Sequence, residues 1–273
     1  MATSKRALAL DAYVLHRYDW SETSLILDLF TRGRGRLAVA AKGAKRPYSQ
    51  MKSVLLPFQR ISATVGRQAE EAQAEVLTLR GAEWAGDGAT PVLPPARLFA
   101  GFYLNELVMK LVARGDPHPA LFDAYAATLA SLAAADDFGE QIGLRAFELS
   151  LLKAIGLLPE LDRVTTTQAR LAPDGLYELH GERGVLDADP ALPVAVLPGA
   201  DLLALDAALR TGAPGPLHAA CAPRLDRLKP VLRGLVHYHL GSPMLRTRDV
   251  MRDARKLTAP SLLPSLPPEG ELG

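Results

Sequence analysis

The sequence predicts an α+β chain in which a small five-stranded barrel precedes a mainly α-helical domain. Three observations carry that expectation. Up to about Thr78, apolar and polar residues alternate in short runs between turn signals. Glycine and proline crowd the stretch after Arg80, and from Ala96 onward the apolar residues recur three or four apart. A chain of 273 residues, 48% hydrophobic and 22% charged, can bury two cores and is not disordered, collagen-like or a disulfide-stapled miniprotein.

The elements follow in order. Leu8, Leu10, Ala12 and Val14 alternate as a first strand, and Ser24 to Phe30 reads as a second. TRGRGR, from Thr31 to Arg36, reads as a hairpin in which Gly33 and Gly35 can take positive φ while the interleaved arginines point into solvent. Leu37 to Ala41 forms the third strand. Lys42 to Pro47 is a basic loop, since Pro47 cannot continue a central strand. Val54 to Phe58 with Ile61 to Val65 makes a fourth strand interrupted at Pro57, and Ala74 to Thr78 a fifth; five short strands suggest a barrel.

The barrel is therefore assigned to residues 1–80 and a connector to 81–95, where Gly81, Gly86, Gly88, Pro91, Pro94 and Pro95 fall. The helical domain is assigned to 96–257. Its first helix ends at Gly115-Asp116-Pro117, and further helices run over His118–Ala134, Phe138–Gly156 and Arg224–Leu240. An irregular insert with turns and a small hairpin is expected near 162–197, and a disordered tail over 258–273.

Net charge is +1, but it is unevenly spread. Residues 1–80 hold 13 of the 31 Lys and Arg and 7 of the 30 Asp and Glu, an excess of six positive charges; the remainder holds 18 against 23, an excess of five negative ones. From Thr31 to Arg60 there are Arg32, Arg34, Arg36, Lys42, Lys45, Arg46, Lys52 and Arg60 and no acid. A solvated loop without a partner would also be basic, but so long a run without an acid points to an anion partner.

Enzyme chemistry finds little to stand on. His237 and His239 are two apart, and on a helix such residues point about 200° away from each other and cannot share one ion. His16, His118, His180 and His218 lack a HExxH or a cysteine partner. The single cysteine, Cys221, reads as a small buried hydrophobe and fits a reducing compartment, so the cytosol is expected. Gly33-Arg34-Gly35 does not extend to GxGxxG, and no GxxxxGK[ST] occurs. There is no run of about 18 apolar residues, and Asp11 falls inside what would be a signal h-region, which argues against membrane spanning and secretion. No cofactor is expected. The aromatics Tyr13, Tyr18, Trp20, Phe30, Tyr48 and Phe58 accompany the basic stretch; most belong to the core, whereas Tyr48, within the basic loop, is the candidate to stack on a base.

The order of several short segments resembles the bacterial RecO family of DNA repair and recombination mediators. They are Glu22, Leu29-Phe30-Thr31, Gly35, Ala41-Lys42-Gly43-Ala44-Lys45-Arg46, Ser53 and Leu56-Pro57-Phe58 in the first half. Phe147-Glu148-Leu149, Leu152, Gly156, Pro159-Glu160-Leu161, Tyr238-His239-Leu240-Gly241, Leu245 and Thr247-Arg248 follow in the second. The resemblance spans about residues 8 to 250. It implies an N-terminal OB-fold and a helical C-terminal domain. It also implies binding of single- and double-stranded DNA, annealing of complementary strands, engagement of the C-terminal tail of single-strand-binding protein, and work with RecR to load RecA, with no bond made or broken. Many members carry a four-cysteine zinc module; here the first two ligand places fall near Val164 and Thr167 and no second pair exists, so no zinc is expected.

On this basis the chain is expected to be a cytoplasmic, nucleoid-associated, non-enzymatic mediator of recombinational repair with no membrane contact. Arg32, Arg34, Arg36, Lys42, Lys45, Arg46 and Lys52 are the candidates for sequence-independent phosphate contacts, with Tyr48 stacking. A groove for the acidic tail needs apolar walls and a few cations; the second half offers Arg224, Arg227, Lys229, Arg233, Arg246, Arg248, Arg252 and Arg255, each of which also reads as an i to i+4 partner or a helix C-terminal charge. The rivals are a protein–protein adaptor, an RNA-binding OB protein and, weakest, a hydrolase.

Overall fold

A computed structural model describes residues 8–66, 76–85, 92–189 and 195–241 together with Leu245, Thr247 and Val250. The expected tail, 258–273, lies outside the described residues.

Strands β1 (Leu8–Asp19), β2 (Leu25–Thr31), β3 (Gly35–Ala41), β4 (Arg60–Val65) and β5 (Val76–Trp84) close into a barrel in the order β1-β2-β3-β5-β4, with β3 parallel to β5 and the other pairs antiparallel. This is a five-stranded barrel of the OB type. Its interior is what alternation dictates: Leu10, Ala12 and Val14 of β1 meet Leu27 and Leu29 of β2, Val39 and Ala41 of β3, Ile61 and Ala63 of β4, and Leu77 and Leu79 of β5.

Two expectations for the barrel are corrected. Val54 to Phe58 is not strand: Met51–Val54 is a single helical turn, α1, and Phe58 sits at φ 68°, which no strand residue adopts. Pro57 supplies no N–H to a ladder, so the chain turns there. β5 in turn runs through Trp84, past the boundary expected at residue 80, because its register on β4 shifts between Leu79 and Gly81 and leaves Arg80 as an inserted residue. Gly81, read as punctuation, is a strand residue beside a bulge.

The helical region contains α2 (Leu98–Leu111), α3 (Pro119–Ala134), α4 (Asp137–Ala154), α5 (Gly199–Thr211), α6 (Pro214–Cys221) and α7 (Leu225–Leu240). Asp136 caps α4 by accepting from the Gly139 N–H at 2.7 Å. Gly212 and Gly241, at φ 69° and 63°, end α5 and α7. The insert is more regular than expected: β6 (Leu176–His180) pairs with β7 (Gly184–Asp187) as a hairpin and also with β8 (Val196–Pro198).

The turn at the expected zinc places is built from other interactions. The Val164 N–H donates to Ala169 O at 2.9 Å and the Gln168 N–H to Val164 O at 2.9 Å, while the Val164 side chain enters the core. The Thr165 N–H donates to Val185 O and its hydroxyl accepts from the Val185 N–H, both at 2.8 Å. Among the described residues no group of three His, Cys, Asp or Glu is placed to hold a metal ion, and the residues of this turn do not fit zinc.

Barrel and helices share one core. Outward-facing Tyr13, Leu15 and Phe30, with Phe58, join Tyr103, Leu104, Leu107, Phe122 and Tyr125 of α2 and α3. Tyr13 lies edge-on to Tyr125 at 5.0 Å and tilted against Phe122 at 5.2 Å. Leu15 is the inserted residue of a bulge in β1, opposite the step from Leu29 to Asp28. Its carbonyl accepts from Asn105 Nδ2 at 2.8 Å, and Asn105 Oδ1 accepts from the Tyr125 hydroxyl at 2.5 Å.

The hairpin between β2 and β3 docks on the helices. Arg36 is buried, its Nε and Nη2 donating to Asp28 at 3.2 and 2.9 Å, its Nη1 to the carbonyls of Val112, at 2.8 Å, and Met109. Arg114 donates to the same carboxylate at 3.2 Å, and the Gly115 N–H donates to Arg36 O. At Gly35, φ 64°, a Cβ would collide with the backbone of Asp116, so this close approach requires glycine.

Three outcomes are expected. Arg36→Met leaves the buried Asp28 carboxylate with Arg114 alone and lowers unfolding free energy by about 2–4 kcal/mol in urea titration, whereas Arg34→Ala, at an exposed position, stays within about 0.5 kcal/mol; equal losses would contradict the assignment. Cys221 is buried and its thiol is pushed up to about 12 by that burial, so an aromatic disulfide reagent at neutral pH modifies it only after unfolding. Protein purified without chelator or nickel is expected to carry no stoichiometric zinc by elemental analysis.

Candidate nucleic-acid interface

The eight candidate residues divide between opposite ends of the barrel. β2 and β3 are each seven residues long, so at about 3.3 Å per residue the hairpin at 32–34 stands roughly 20 Å from the loops at 20–24 and 42–50.

At the hairpin end, Arg36 is corrected: it does not point into solvent, because an outward position on β3 faces the C-terminal carbonyls of α2 and the Asp28 carboxylate. Arg32 is exposed but committed, its Nε and Nη2 donating to both oxygens of Asp123 on α3 at 3.0 and 2.8 Å. That hydrogen bonding holds the Asp123 carboxyl below its ordinary range. Arg60 donates to Asp11 at 2.8 and 2.5 Å and lies 5.8 Å from the Phe122 ring centre. Arg34, on the turn, is exposed, and no ion pair holds it among the described residues.

The other end is different. The loop from β3 to α1 presents Lys42, Arg46 and Tyr48 to solvent, Tyr48 at 98% exposure, and Lys52 follows on α1, also exposed. Among the described residues no ion pair involves Lys42, Arg46 or Lys52. Gly43, at φ 75°, and the turn closed by the Arg46 N–H to Gly43 O at 3.2 Å shape this loop. Lys45 fastens it to the β1–β2 loop: its N–H donates to Thr23 O, and its Nζ to Asp19 Oδ1 and Ser21 O, all at 3.0 Å. Lys45 is thus a brace within the surface.

Arg17 and Arg114 escaped the sequence reading, and Tyr18 and Trp20 were named there only among the aromatics that accompany the basic stretch. Arg17, which donates to Leu55 O at 3.3 Å, Tyr18 and Trp20 are all exposed at the end of β1. The bulge at Leu15 hides this, since the inward set Leu10, Ala12, Val14 does not continue in step beyond it. Arg114 was hidden among helix-stop residues. Its signal was Asp28 itself, an acid in the middle of an apolar strand that must find a cation when buried.

Elsewhere, Arg224 and Arg227 pair with Asp201 at 2.7 and 3.1 Å, and Lys229 and Arg233 are exposed on α7. Arg246, Arg248, Arg252 and Arg255 lie outside the described residues. His237 and His239 follow one another at two-residue spacing on α7, as expected. No described helix is long and apolar enough to cross a membrane.

Comparison with known proteins bears on this surface. Residues 6–83 match the family model for the recombination protein O N terminal, and residues 95–249 that for the recombination protein O C terminal. The first match ends within one residue of the end of β5, in accord with the longer barrel. DNA repair protein RecO of Polaromonas sp. strain JS666 is 48% identical over 258 residues, covering 94% of this chain and 100% of the relative. The proteins of the same description from Verminephrobacter eiseniae and Delftia acidovorans are each 47% identical at the same coverage. With both family models matched in order along the chain and identity near one half over almost its whole length, the chain belongs to the RecO family of DNA repair proteins.

Proposed function

We propose that this chain binds single- and double-stranded DNA without sequence preference through the end of the barrel carrying Lys42, Arg46, Lys52 and Tyr48. In this reading it anneals complementary strands and helps load a recombinase onto DNA coated by single-strand-binding protein. It makes and breaks no bond and works with RecR in the cytoplasm at the nucleoid. The observation that carries this is the set of exposed cations without an ion pair on a braced loop of an OB barrel, inside a stretch from Thr31 to Arg60 that contains no acid. Phosphate contacts from such side chains release counterions whatever the base sequence. A mediator has to act on any sequence, so base-edge recognition would be a handicap. Arg34 adds a cation at the far end.

The tail of single-strand-binding protein, acidic with a hydrophobic end, needs apolar walls and a cation. A cavity of about 440 Å³ between α3, α4, α5 and α6 offers Leu121, Phe147, Ala208 and Leu217 as walls, with Lys153 at its edge. His218 also lines it, its pKa lowered by burial, and Lys153 Nζ donates to Leu209 O at 2.8 Å. Asp123 on the same lining is already held by Arg32.

Fluorescence anisotropy of a labelled single strand over a salt series tests the reading. The triple variant Lys42→Ala, Arg46→Ala, Lys52→Ala is expected to bind more weakly, with a log–log salt slope smaller by about 2, since each phosphate contact contributes about 0.7 for single strands. Unchanged affinity and slope would remove DNA from this surface and favour the adaptor reading.

A further inference from the structure

Resting on that reading, we propose that Tyr18 and Trp20 stack on unpaired bases, and that these two rings rather than the surrounding cations make this end of the barrel prefer single strands to duplex. Half of the aromatics are buried, among them Tyr13, Phe30, Phe58, Phe122, Tyr125 and Phe147 in the shared core, and of the exposed ones Tyr18, Trp20 and Tyr48 fall at the cation-bearing end of the barrel. Tyr18 is instead 47% exposed and Trp20 57%, although no fold requirement keeps them out.

Their placement is organised. Tyr18 pairs with Ile26 and His16 with Asp28, so both stand on the outward face of β1, and Trp20 follows by the same two-residue step at the strand end. The His16 and Tyr18 rings meet edge to face at 4.4 Å. The Trp20 backbone is held in a tight loop, its N–H and that of Ser21 both donating to Ser24 O at 3.3 Å. Lys45 braces this loop to the one that carries Tyr48. A ring on a fixed backbone loses little freedom when a base covers it.

The charges around the rings suit a polyanion. Arg17 adjoins Tyr18 on β1, Lys45 bonds the loop that follows Trp20, and Lys42 and Arg46 lie on the same β3–α1 loop as Lys45; of the acids, Asp19 is paired with Lys45 and Glu22 is exposed. Phosphates are present on single strands and duplex alike, so the cations cannot tell the two apart. Base faces are open to a protein ring only where strands are unpaired. Each duplex formed by annealing would therefore lose the stacking contacts and keep only the phosphate ones, which favours release of the annealed product.

Anisotropy with an oligothymidine and a duplex of equal length, across a salt series, tests this with Tyr18→Ala/Trp20→Ala and Tyr18→Phe/Trp20→Phe. The alanine pair is expected to lose roughly 5- to 100-fold in single-strand affinity per stacked ring, to hold duplex affinity within about twofold, and to keep both salt slopes. The phenylalanine pair should recover most of the loss. In a Trp84→Phe background, where Trp20 is the remaining tryptophan, its emission should fall on adding single strand and not duplex. Equal loss on both nucleic acids, a changed slope or no loss overturns the proposal; wild-type binding with a slope untouched by the Lys42, Arg46 and Lys52 substitutions overturns the phosphate reading instead. Both rings are exposed, so circular dichroism and thermal midpoints should match the wild type.

Discussion

A buried guanidinium holds this molecule together as one body. Arg36 leaves the barrel on β3 and finds two kinds of partner at once, the Asp28 carboxylate one strand away and the carbonyls of Met109 and Val112 where α2 ends. An isolated charge would not survive burial here, but this one is hydrogen-bonded on every side that matters, and the end of a helix is where a cation is electrostatically favoured. Arg114 meets the same carboxylate from the helical side, at 3.2 Å, so Asp28 is shared between the two halves of the chain. The rest of the arrangement follows: the hairpin docks on the α2–α3 connection, Gly35 must be glycine, and Arg32 falls within reach of Asp123.

Apolar packing runs beside this polar lock. A barrel strand with alternating residues has an outer face, and on β1 and β2 that face carries Tyr13, Leu15 and Phe30 rather than polar groups. Such a face cannot stay in water, and α3 covers it with Phe122 and Tyr125 while Leu104 and Leu107 of α2 share the same core. The bulge at Leu15 ends the covered stretch: beyond it His16 and Tyr18 continue outward but into solvent. One inserted residue thus separates the part of β1 that builds the domain junction from the part that is free to meet a ligand.

Much of this was legible in the sequence, and the exceptions share a cause. The alternating residues of β1, the strands β2 and β3 and the helices α2 to α4 rest on local pattern, and the structure places them as that pattern predicts. Arg34 and Arg36 could not be told apart, because both alternate with glycine in TRGRGR and only a partner about 75 residues away, at Met109 and Val112, buries one of them. The end of β5 was misread for the same reason: Gly81 breaks the local pattern, while β4 supplies the pairing that carries the strand on to Trp84. Phe58 reads as a strand residue from its neighbours, yet it is buried at φ 68° against the place where Gly101 lacks a side chain. Local signals identify elements, and contacts between distant segments decide which side chains those elements leave exposed.

That distinction also shapes the charge. The net of +1 conceals a barrel with a positive excess and a remainder with a negative one. The barrel's cations divide again, since Arg32, Arg36 and Arg60 are each engaged by a carboxylate, leaving, among the described residues, Arg34 at the hairpin and Lys42, Arg46 and Lys52 together at the far end without one. At physiological ionic strength charges interact over about 8 Å, less than the roughly 20 Å between the two ends of β2 and β3, so a phosphate chain at that end responds to its local cations and hardly to the molecule's net charge. The cations that no carboxylate engages are thereby concentrated at one end of the barrel, the same end at which Tyr18, Trp20 and Tyr48 are exposed.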